Sequence, residues 1–93
     1  MNKSDFQILE RKAEIFKAMA HPVRLLILKD LLENGPKIVS KLEAGKIVTL
    51  PIVSQHLAKL RHYGLIKQKK TGIQVYSIIV NKELISMIIN ADI

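Results

Sequence analysis

The chain has 93 residues, 48% hydrophobic and 25% charged, with 15 Lys and Arg against 8 Asp and Glu for a formal net charge of +7. That length supports one domain, residues 1–93, and its apolar share argues against disorder. The absence of cysteine excludes disulfides, thiolate metal sites and cysteine nucleophiles, and four aromatic residues (Phe6, Phe16, Tyr63, Tyr76) leave little stacking surface for single-stranded nucleic acid.

The N-terminal residues lack the apolar stretch of a signal peptide, and no apolar run approaches the roughly 20 residues of a membrane span. A cytoplasmic protein with no membrane partner is expected. Ser4 with Gln7 fits a capping box and Asp5 suits the positive end of a helix. A first helix is therefore predicted to about Ala20, with Ile8, Leu9, Ile15, Phe16 and Met19 as its apolar positions. Pro22 marks the first turn of a second helix, where its missing N–H is harmless. Leu25, Leu26, Leu28, Leu31 and Leu32 give that helix a broad buried face, and Asn34-Gly35-Pro36 stops it. A short third helix is predicted over about Lys37–Ala44, burying Ile38, Val39 and Leu42. Thr49 is the expected N-cap of a fourth helix, which tolerates Pro51 in its first turn and ends near Gly64.

Leu65–Lys70 and Ile73–Ile78 have strand character, and Thr71-Gly72 joins them as a hairpin. Asn81 caps a last helix, Lys82 to about Ala91. The predicted fold is mainly α with a small β element (α+β): four helices, a hairpin and a fifth helix. Lys37–Ala44 and Thr49–Tyr63 read as a helix-turn-helix pair.

Between Glu43 and Glu83 the chain carries no acid but holds Lys46, Lys59, Arg61, Lys67, Lys69, Lys70 and Lys82. These seven positives equal the whole net charge, since the eight other basic side chains cancel the eight acids. Charge localised in this way suits a polyanion, and double-stranded DNA is the leading candidate. On a helical wheel Leu50, Val53, Leu57 and Leu60 share one side of the Thr49–Tyr63 helix. Pro51, Ile52, Gln55, Ala58, Lys59 and His62 lie opposite, with Ser54, His56 and Arg61 at the boundary. Gln55 can pair bidentately with adenine, Ser54 can bond a base or a phosphate, and Ile52 can touch a thymine methyl. Lys59 and Arg61 lie further from the N-terminus that enters the groove and suit phosphates. Lys67, Lys69, Lys70 and Gln74 make the hairpin a basic wing for the backbone or the adjacent minor groove, with Tyr76 read as packing.

The last helix carries Leu84, Ile85 and Ile88 on one face, broadened by Met87 and Ile89 beyond what one small domain can cover. A second copy is expected over it. An enzyme is not expected: no carboxylate lies between residues 44 and 82, Ser54 sits two positions from His56 on one helix, and there is no glycine-rich phosphate loop.

Phe16-Lys-Ala-Met-Ala-His-Pro-Val-Arg-Leu-Leu-Ile-Leu, then Val53-Ser-Gln-His-Leu-Ala-Lys-Leu-Arg, Gly64-Leu-Ile and Gly72-Ile-Gln-Val-Tyr-Ser-Ile resemble the ArsR/SmtB family of winged-helix repressors over roughly Phe16 to Ile78. The resemblance implies a winged helix-turn-helix transcription regulator. It also implies a homodimer through the first and last helices, here Phe6, Leu9, Leu84, Ile85, Ile88 and Ile89, on an inverted-repeat operator. Repression relieved by a ligand or metal is part of that pattern.

The metal-sensing part of the pattern is missing. Pro36-Lys-Ile-Val-Ser-Lys-Leu holds no thiol, and the last helix offers only Glu83 and Asp92, nine positions apart. His21 reads as a cap or packing residue. His56 occupies a motif position with a role in contacting DNA or orienting the helix, and His56 and His62, six apart, cannot chelate together. Arg24 is expected to pair with Asp30 or Glu33. No metal or other cofactor is therefore expected, which leaves three options open: a small organic effector, a protein effector, or none. The alternative reading is a winged-helix interaction module regulated by a partner protein.

Overall fold

Asn2, rather than Ser4, starts the first helix. Its Oδ1 accepts the Asp5 N–H at 2.9 Å and an Asp5 carboxylate oxygen accepts the Asn2 N–H at 3.4 Å. This is the expected box moved two residues toward the N-terminus, because Ser4 already lies in the first turn. The computed structural model describes Met1–Ile93. It contains helix α1 (Lys3–Met19), helix α2 (Pro22–Asn34), strand β1 (Lys37–Ile38), 3-10 turns at Val39–Lys41 and Glu43–Lys46, helix α3 (Leu50–His62), strands β2 (Ile66–Thr71) and β3 (Gln74–Ile79), and helix α4 (Lys82–Ile89).

There are thus four α-helices, and the helix predicted over Lys37–Ala44 is a correction. The chain stays extended after Pro36 over Lys37 and the β-branched Ile38 before turning at Val39. It adds β1 to the edge of the hairpin, with Lys37 opposite Ser77 and Ile38 opposite Tyr76. The sheet is antiparallel in the order β1-β3-β2. Beyond β1, the two 3-10 turns still bury Leu42 and Ala44.

The hairpin is also shifted by one residue. Leu65 is buried and its N–H bonds the Leu60 carbonyl at 3.0 Å, closing the end of α3 through Gly64 at φ +75°. Pairing then runs from Ile66–Ile79 to Thr71–Gln74, so the two-residue loop is Gly72-Ile73. Gly72, at φ +64°, takes the position that needs glycine in a type II′ turn.

Helix α2 is the centre of the molecule and touches every other helix. Its Ile27, Leu28 and Leu31 meet Ala18 and Met19 of α1, Val53, Leu57 and Leu60 of α3, Ile66 and Ile79 of the sheet and Ile85 of α4 in one core. Asp30 is buried at the edge of that core. Its carboxylate accepts from Lys37 Nζ at 2.6 Å, Asn34 Nδ2 at 2.8 Å and the Glu43 N–H at 2.9 Å. It is therefore not the partner of Arg24, and Glu33 pairs with Lys29 at 3.7 Å. Arg24 keeps a buried Nε with no hydrogen-bond partner.

Burial alone would raise the Asp30 pKa. The Glu43 N–H, the Lys37 ammonium and the Asn34 amide outweigh it and hold the carboxyl below its ordinary value of 3.8. The stabilisation is therefore complete above about pH 4 and is lost as pH falls through the folded value. Asp30→Ala should lower unfolding free energy by about 2–4 kcal/mol at neutral pH, because it strands Lys37 and the Glu43 amide. Urea titration reads this directly, and Asp30→Asn should lose less stability than wild type on going from pH 5 to pH 3.

Candidate nucleic-acid interface

Val53, Leu57 and Leu60 recur at i, i+4 and i+7 and are 0%, 5% and 0% exposed, which fixes the rotation of α3. The opposite side, Pro51, Ile52, Ser54, Gln55, Ala58, Lys59, Arg61 and His62, faces outward. Leu50, placed with the buried stripe on the wheel, is instead 46% exposed, since the first turn overhangs the core. Thr49 occupies the N-cap, but its side chain makes no capping bond. Its hydroxyl is exposed beside the N-terminal turn.

His56 behaves differently from its neighbours. It is half-buried, and its ring centroid lies 4.4 Å from that of His21, tilted by 45°. His21 Nδ1 accepts the Val23 N–H at 3.1 Å, so His21 is the cap of α2, as its sequence position suggests. The tilted pair joins the start of α2 to the middle of α3. Burial, then the His21 imidazole and the Arg24 guanidinium, lower the pKa of His56 from its ordinary value of 6.5.

Tyr63 ties down the far end of α3: its hydroxyl donates to Glu14 of α1 at 3.3 Å, while His62 packs edge-on to its ring. Lys59 Nζ lies 5.5 Å from the same ring centroid.

Strand parity sorts the wing. Lys67, Lys69 and Gln74 share one face with Tyr76, whose hydroxyl donates to Gln74 Oε1 at 2.9 Å. Gln68, Lys70, Val75 and Ser77 share the other. Gln68, Val75 and Ser77 line a groove against Ser54, Leu57 and Arg61 of α3 and Val39. Gln68 is absent from the residues expected in the interface, although it lines this groove beside Ser54 and Arg61.

Lys46 is neutralised by Glu43 at 2.7 Å. The other six cations of the acid-free segment form no ion pair, so α3 and the wing present an uncompensated positive surface.

A second exposed feature is apolar. On α1, Phe6 and Leu9 are 57% and 46% exposed. On α4, Leu84, Ile88 and Ile89 are half-buried and Met87 faces outward. Ile85 is a correction: it is 1% exposed and spent in the chain's own core, so it has no surface for a second copy. No cluster of three or more His, Asp or Glu side chains forms anywhere, and no helix is long and apolar enough to cross a membrane.

The sequence profile of the bacterial regulatory protein arsR family matches residues 21–68, from the cap of α2 into β2. Over 82 residues the chain is 40% identical to an uncharacterized HTH-type transcriptional regulator of Methanocaldococcus jannaschii, covering 85% of this chain and 92% of that protein. It is 35% identical over 85 residues to the transcriptional repressor PagR of Bacillus anthracis, covering 89% and 83%. The PagR crystal structure superposes with a TM-score of 0.77 at 31% identity, over 89% of this chain and 98% of that one. The solution structure of a winged helix-turn-helix domain from Mycobacterium bovis superposes at 0.82 over 95% and 83%, with 24% identity, a likeness of fold.

The His21–His56 pair generates a pH prediction. A histidine whose folded pKa lies below its unfolded value adds stability in full above pH 6.5 and loses it as pH falls toward the folded value. Urea midpoints should therefore drop between pH 7.5 and pH 5 in wild type, and less so in His56→Gln. An equal drop in both would dissociate His56 from this effect.

Proposed function

The chain belongs to the arsR family of bacterial regulatory proteins, DNA-binding transcription regulators rather than enzymes, and from that premise we propose that it is a dimeric repressor reading an inverted-repeat operator. The observation that carries this reading is the shared surface of α3 and the wing, where five unpaired cations (Lys59, Arg61, Lys67, Lys69 and Lys70) surround a polar helical face whose rotation the core has fixed.

In this reading the first half of α3 enters the major groove. Gln55 reads adenine through its amide, Ser54 and Thr49 bond bases or phosphates, and Pro51 and Ile52 supply apolar contact, Ile52 against a thymine methyl. His56 holds the helix at its working angle. Lys59 and Arg61 take phosphates, and Lys67, Lys69, Lys70 and Gln74 extend that contact along the wing. A wing and a recognition helix in neighbouring grooves must straddle one sugar–phosphate strand, and the groove lined by Ser54, Arg61 and Gln68 suits that strand.

Phe6 and Leu9 of α1 with Leu84, Ile88 and Ile89 of α4 supply the apolar surface for a second copy. Two-fold pairing would set the recognition helices about one DNA turn (~34 Å) apart. Regulation by metal does not fit the donors present, which include no thiolate and no histidine–carboxylate cluster. An effector would be an organic molecule or a protein.

Selection of duplexes from a random pool, followed by competition against random duplex, tests the reading. A preference of at least about 10³ is expected, and a preference of only a few-fold would overturn sequence-specific binding. Gln55→Ala should lose about tenfold of discrimination at one base pair per half-site. Lys69→Ala should weaken all duplexes alike and reduce the log–log salt slope by about 0.9 for each phosphate that is no longer neutralised.

A further inference from the structure

Apart from the C-terminal residue, no large hydrophobic side chain is more exposed than Ile73, at 97%. A lone exposed isoleucine usually means nothing. This one stands second in a two-residue hairpin loop, where Asn, Ser or Asp would serve the turn better. It does nothing for the core, which the hairpin meets at its opposite end through Ile66 and Ile79. Five residue steps of paired strand separate Ile66 from Thr71, about 17 Å. Ile73 therefore leads a slender arm whose flanks carry Lys69 and Lys70, and Gly72 beside it adds no side chain to the tip.

We propose that Ile73 is an apolar wedge which the wing inserts into the minor groove beside each major-groove contact, partly unstacking one base step. This rests on the duplex-binding reading above and adds to it a site, a groove and a base preference. Lysines on both faces of the arm complement the phosphates that wall the groove, which is about 6 Å wide. Apolar side chains enter such grooves between base steps and bend the duplex. Directly behind Ile73, Thr71 and Gln74 face each other across the strands. Because Gln74 Oε1 already accepts the Tyr76 hydroxyl, its amide presents N–H donors outward. The minor-groove edge of an A·T pair offers only acceptors, whereas G·C adds a donor. The wedge should therefore favour A·T pairs flanking the sequence read by α3.

The test uses a duplex recovered by random-pool selection, with 2-aminopurine at the step facing the wing. Wild-type protein should brighten the probe several-fold on binding. Ile73→Asn, which suits the turn, should abolish the rise and weaken binding about tenfold, the loss expected for a few buried methyl groups, with the salt slope unchanged. Ile73→Ala should follow it, and unchanged thermal melting of both variants excludes misfolding. Replacing the flanking A·T pairs by G·C should weaken wild type more than Ile73→Asn. If wild type binds the duplex but Ile73→Asn matches it in affinity and brightening, or wild type never brightens the probe, the wedge is overturned while the repressor reading stands. If wild type binds no duplex at all, both fall.

Discussion

The recognition surface rests on a carboxylate buried beneath it. Asp30 accepts hydrogen bonds from Asn34, from the Lys37 ammonium and from the Glu43 amide, and so pins the segment that leads from α2 toward α3 at its start and at its second turn. That segment has only a two-residue strand and two 3-10 turns. It lacks the internal hydrogen bonds of an α-helix, so tertiary bonds must fix its path. A lone carboxylate at this depth would be strongly disfavoured; three donors, one of them charged, reverse the balance and keep it ionised. From there Leu42 and Ala44 carry the chain across the core, and Val53, Leu57 and Leu60 set the face that α3 turns outward.

Charge separation then does the rest. Every acid lies outside the span from Ala44 to Lys82, and Glu43, at its margin, neutralises only Lys46. Nothing internal competes with an external anion for Lys59, Arg61 or the wing lysines. Exposed lysines contribute little to folding stability and their mutual repulsion slightly opposes it. Their cost is small in the folded chain, and their gain appears only against a polyanion.

Much of this was legible in the sequence because it depends on local pattern. The apolar spacing of α2 and α3, Pro22 and Pro51 at helix starts, the Gly72 turn and the acid-free run can all be read without knowing what packs where. The missed pieces depended on contacts distant in sequence. Lys37–Ala44 resembles a short helix until β3 offers it an edge and Asp30, more than a turn earlier, offers Glu43 a partner. Ile85 looks like interface by helical periodicity, and only the packing of α4 on α2 shows that it is consumed within the chain. His21 and His56 lie 35 positions apart, so no spacing rule brings their rings together. Arg24 has no acid three or four positions on along α2: Asp30 is six positions on and bonded to Lys37, and Glu33 is nine on and paired with Lys29.

The central claim is that the outward face of α3, together with the wing, meets the duplex while the apolar faces of α1 and α4 do not. Amide chemical-shift mapping of the 15N-labelled protein, titrated with a duplex selected from a random pool, tests it residue by residue. The account predicts perturbations concentrated at Thr49–Arg61 and Lys67–Gln74, with the exposed stretch of α1 around Phe6 and Leu9 unmoved. Perturbations confined to α1 and α4, with Ser54, Gln55 and Lys69 unchanged, would contradict it.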